Sequence, residues 1–74
     1  MRNMPTLDAR QYIEAFGGRQ QLINRMRSRF AVILTKSQVD KWVERDSIPG
    51  AHLVLMQIIG SELEPPVELL DHLT

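Results

Sequence analysis

No cysteine occurs in this 74-residue sequence, so disulfides and thiolate metal sites are excluded and a reducing, cytoplasmic setting is expected. No basic segment followed by an apolar run opens the chain, and no signal peptide is expected. The apolar runs are far shorter than a bilayer span. The two histidines, His52 and His72, are too isolated to suggest a metal site and read as surface or satisfied core residues. Gly17-Gly18 follows no strand and precedes no Gly-Lys-Ser/Thr, so it is a cap between helices and no phosphate loop. No Ser–His–Asp set and no carboxylate pair has catalytic spacing, so neither enzymatic activity nor a cofactor is expected.

Formal net charge is also absent, but its distribution is uneven. All nine Lys and Arg residues lie between Arg2 and Arg45, against four acids there, a surplus of five positive charges. Residues 46–74 hold five acids and neither Lys nor Arg. A basic front and an acidic back suggest that the front faces a polyanion. A solvated basic face with no partner accounts for the split equally well. Hydrophobic residues make up 43% of the chain, enough for one core and a single domain over residues 1–74. A domain this small buries only about 60–65% of the surface its unfolded chain exposes, so modest stability is expected unless it oligomerises.

The stretch from Thr35 to Arg45 organises the rest. Thr35 followed by Gln38 has the spacing of a capping box. Val39, Trp42 and Val43 then share one face at helical spacing and are expected to point inward. Trp42 could stack on a base, but its spacing favours the core. Lys36, Ser37, Gln38, Asp40, Lys41 and Arg45 fill the other face, a mixture of cations and short polar groups suited to base edges and phosphates.

Around this stretch the periodicity predicts an all-α bundle of four to five short helices. Residues 1–5 read as a loose arm. Helix entry is expected at Pro5-Thr6 with Asp8 in the first turn, and Ala9, Tyr12, Ile13 and Phe16 form the first apolar stripe before Gly17-Gly18 ends it. A second helix starts near Arg19, with Leu22, Ile23 and Met26 inward and Phe30 a further candidate for the same face. Its first residues, Arg19 and Gln20, offer a phosphate contact or an ordinary exposed turn. Phe30–Leu34 reads as the last turn of that helix plus a buried connection, with a short extended segment as the alternative. A fourth helix from Pro49 or Gly50 to Gly60 is apolar on nearly every side and must cover more than one face. Past Pro65-Pro66, the residues Val67, Leu69, Leu70 and Leu73 suggest a short fifth helix in the acidic segment 60–74, a candidate for oligomerisation.

Gly17-Gly18-Arg19 with Leu22, and Ser37-Gln38-Val39 with Trp42 and then Ile48-Pro49, together resemble the helix-turn-helix of small Cro/cI-like phage and bacterial regulators, which include Cro-type repressors and CII-type activators. The resemblance covers roughly residues 12–59. It implies a compact helical domain that binds double-stranded operator DNA as a dimer or higher oligomer. Carried over by position, Lys36, Ser37, Gln38 and Lys41 would face the major groove, and Arg19 and Gln20 would meet phosphate.

The chain departs from that pattern in one place. The distance from Leu22 to Thr35 is longer by about half a dozen residues than the family's three- or four-residue turn allows, and the usual turn glycine is missing. Ile23 also stands where the family prefers a small residue. Either the second helix is extended or the turn carries an insertion, and an extended turn could bring Arg25, Arg27 and Arg29 to the DNA backbone. Arg45 is a further phosphate candidate. A different reading keeps the fold without the DNA role: a protein-interaction module whose acidic, leucine-rich back docks on a polymerase subunit, a DNA-bending protein or a toxin.

Overall fold

In the computed structural model of the chain, residues 6–73 are described; the arm expected over residues 1–5 lies outside them. Helix α1 spans Ala9–Ala15 and starts later than the sequence suggests. Asp8 is its N-cap, accepting from the Gln11 N–H at 3.1 Å, and does not sit inside the first turn. Gly17 and Gly18 follow with φ of 100° and 93°, a region that glycine enters without a Cβ penalty. Helix α2 runs over Arg19–Phe30, so most of the extra length before Thr35 is helix. It closes on Ala31 at φ 58°, whose N–H bonds Arg27 while that of Val32 bonds Met26. Ala31 therefore holds the left-handed position that glycine would take, at a cost of about 1–2 kcal/mol.

The connection from Ala31 to Thr35 is non-helical. It is only partly the buried link expected: Leu34 is buried, but Ile33 is 70% exposed. Helix α3 spans Lys36–Arg45, and α4 spans Gly50–Glu62, running past Gly60 by half a turn. Asp46, also left-handed at φ 51°, terminates α3, and its side chain accepts from the Ala9 N–H at 3.3 Å. That bond satisfies one of the free donors at the start of α1 and ties the end of α3 to it.

The expected fifth helix is a single 3-10 turn, Leu69–His72. The backbone around it is committed elsewhere. The Val67 N–H bonds the Gly60 carbonyl at 2.9 Å, the Asp8 N–H bonds the His72 carbonyl at 2.8 Å, and Leu7 and Leu73 form an isolated antiparallel bridge. These bonds tie the segment to the end of α4 and the start of α1, and between them only one short turn is helical.

Helix α2 is the hub, packing on α1, α3 and α4. The core joins Ala9, Tyr12, Ile13 and Phe16 of α1 and its cap to Leu22 and Met26 of α2, Val39 and Trp42 of α3, and Met56 and Ile59 of α4, with Leu34 and Ile48 from the connections. Tyr12 is fully buried, edge-on to Phe16 with ring centroids 5.1 Å apart. Burial disfavours the phenolate and pushes its pKa up to about 12. Because Tyr12 is the sole tyrosine, its ultraviolet titration can be read directly. Phenolate absorbance should rise near pH 12. The unfolded chain loses this proton at about pH 10, so fold stability should decline between those two values. A phenolate step at the ordinary pH 10 would show that the ring is open to water.

Candidate nucleic-acid interface

The capping box at the start of α3 is complete. The Thr35 hydroxyl accepts from the Gln38 N–H at 3.1 Å, and Gln38 Oε1 accepts from the Thr35 N–H at 2.9 Å and from its hydroxyl at 3.3 Å. A cap of this kind contributes about 1 kcal/mol and fixes where the helix begins. Val39 and Trp42 are buried and Val43 half-buried, so one side of α3 is held in the core. Lys36, Ser37, Gln38, Lys41 and Arg45 are all exposed. Among the described residues, Lys36, Lys41 and Arg45 make no ion pair.

The two flanks of α3 differ in charge. On one, Gln38, Lys41, Trp42 and Arg45 share a shallow cleft with Ser47 and Pro49, and no acid lines it. On the other, Asp40 and Glu44 line a cleft with Glu14, Arg10 and Arg19. Arg19 is ion-paired there with Asp40. An anion approaching α3 is therefore attracted on the Lys41 side and meets compensated charge on the Arg19 side.

The arginines of α2 divide in the same way. Arg25 Nε donates to the Phe16 carbonyl at 3.1 Å, binding the end of α1. Arg29 forms a two-bond pair with Glu62 of α4, at 3.1 and 2.9 Å, which lowers the pKa of the Glu62 carboxyl chiefly through that hydrogen bond. Both cations thus have partners inside the chain. Gln20, Asn24 and Arg27 recur at four and three residues, on a different stripe of α2 from Arg25 and Arg29. Gln20 donates to Asn24 at 3.1 Å, and Arg27 is exposed with no ion pair among the described residues.

No family model matches the chain, and no curated protein or solved structure matches it either. No helix among the described residues is long and apolar enough to cross a membrane.

The geometry also adds Arg10, which the sequence did not single out and which reaches the compensated flank of α3 from α1, and it gives Asp40 a role as the partner of Arg19 across 21 positions of chain. No local pattern signals either contact. His52 is half-buried with its ring 5.1 Å from that of Trp42, backing α3 from α4. Expected at the surface or satisfied in the core, His52 is instead half-buried, and its Nδ1 is buried without a protein partner among the described residues. His72 meets that expectation through Gln11, at 3.1 Å.

Proposed function

We propose that this chain is a sequence-specific DNA-binding regulator of the Cro/cI-like helix-turn-helix kind, acting as a homodimer with α3 in the major groove. One observation carries the reading: α3 is capped by its own Thr35–Gln38 box and anchored by Val39 and Trp42, while Lys36, Ser37, Lys41 and Arg45 face solvent beside an acid-free cleft. A helix held this rigidly, with cations free at its outer edge, suits base and phosphate contact. In this reading Lys41, Ser37, Gln38 and Lys36 meet bases, while Arg45 and Arg27 meet phosphates. Gln20 lies on the stripe of Arg27 and Arg19 adjoins α3, although Arg19 must first release Asp40.

The test is selection from random duplexes followed by titration. Lys41→Ala should lower affinity for the selected duplex by about 1–3 kcal/mol and leave unrelated duplexes less affected. Arg29→Ala, whose cation serves Glu62, should change neither. Failure to enrich any duplex would remove the regulator reading and leave the protein-interaction module.

A further inference from the structure

Helix α4 shows solvent a stripe with a symmetry of its own. Ala51, Val54, Ile58 and Ser61 are all exposed and recur at spacings of three, four and three, the seam along which one helix packs on another. The stripe reads small, large, large, small, and it is centred on Met56, the midpoint of Gly50–Glu62. Two copies crossing antiparallel about a two-fold axis at Met56 set Val54 against the partner's Ile58 and Ala51 against the partner's Ser61. Each large side chain meets a large one near the axis, and small ones let the helix ends approach.

The chemistry of the stripe favours being covered. Val54 is 55% and Ile58 38% exposed. Residues 47–61 include no Asp, Glu, Lys or Arg, so pairing strips water from no ion. The Ser61 hydroxyl donates to the Ile58 carbonyl at 2.7 Å, so covering it orphans no polar group.

Charge at the two ends of α4 sets the direction. The helix begins next to Pro49, which shares a cleft with Lys41 and Arg45, and its free N–H groups add positive charge. It ends at Glu62, which Arg29 already neutralises, but Glu68 lies in the groove that Ser61 and Gln57 line and Glu64 stands just beyond. Antiparallel copies bring the positive start of one helix to the acidic end of the other, twice. Leu70, 77% exposed in that same groove, extends the apolar surface there.

We propose that the chain pairs with a second copy of itself through this outer stripe of α4, two-fold and antiparallel, with Val54 and Ile58 as reciprocal anchors. The proposal rests on the regulator reading only for its use, since it gives the dimer a place; the contact itself needs no DNA.

Sedimentation of the full chain without DNA tests it, with circular dichroism to follow the fold. The wild type should sediment as a dimer, and Ile58→Glu should weaken association by at least about tenfold with its helical spectrum intact. The double variant Val54→Lys, Ile58→Glu should regain the dimer, because antiparallel pairing sets each new cation against a new anion. Parallel pairing would set like charges together. A monomeric wild type, an Ile58→Glu chain that associates as the wild type does, or a double variant that stays monomeric would overturn the proposal. A dimer that binds no duplex removes only the regulator reading. A monomer that binds its selected duplex removes only the α4 contact.

Discussion

Trp42→Ala should cost the chain a large share of its stability and sharply lower its urea midpoint. The indole is 7% exposed, and its ring lies 5.1 Å from the His52 ring on α4. Removing it deletes the largest apolar surface on α3 and leaves a cavity, at a cost of about 3–5 kcal/mol. A domain of this length has roughly 4–11 kcal/mol in total. Urea unfolding followed by helical circular dichroism measures the loss. A midpoint close to that of the wild type would mean that α3 is held by something other than its tryptophan. Trp42→Phe keeps much of the volume and should fall between the two.

Gly60→Ala should cost about 1–3 kcal/mol, although the change adds one methyl group to a helix. In most helices the same substitution stabilises, by up to about 1 kcal/mol. Here a Cβ would press on the Val67 carbonyl oxygen, which is backbone and cannot swing aside, with the Phe16 ring just beyond. The Val67 N–H in turn bonds the Gly60 carbonyl at 2.9 Å. The methyl group therefore drives the C-terminal segment off α4 and strains its attachment at Asp8 and Leu7. Thermal unfolding gives the magnitude, and amide exchange at Val67 and Asp8 locates it. Faster exchange at both amides is expected. A rise in melting temperature would show that the segment is not seated against Gly60.

These contacts separate what was legible in the chain from what was not. Thr35 and Gln38 mark the start of α3 because a capping box is closed within four residues, and Gly17-Gly18 mark the end of α1 for the same local reason. The stripe Ala9–Tyr12–Ile13–Phe16 is all core in the structure, and of the second stripe Leu22 and Met26 are core while Ile23 and Phe30 are half-buried against it. The C-terminal leucines misled because about eight residues of helical spacing carry little weight against three long-range backbone attachments. The fate of the arginines was hidden for a related reason. Arg29 finds Glu62 across 33 positions and Arg19 finds Asp40 across 21, so composition showed a basic front but not which cations were already paired. Ile33 sits in an apolar run and still faces solvent, because a connection can bury only one side of itself, and Leu34 takes it.

The capping box has one more consequence, for which bases α3 could tell apart. Both acceptor sites of Gln38 Oε1 are occupied by Thr35, so only its amide hydrogens remain to offer. The two-bond contact that glutamine makes with adenine needs oxygen and nitrogen together. While Thr35 holds both sites, Gln38 can donate to a purine N7, a guanine O6 or a thymine O4, but it cannot take a hydrogen from the adenine amino group. Selectivity for adenine at that position would require the Thr35 hydroxyl to turn away from Gln38 Oε1, leaving the backbone bonds of the box in place.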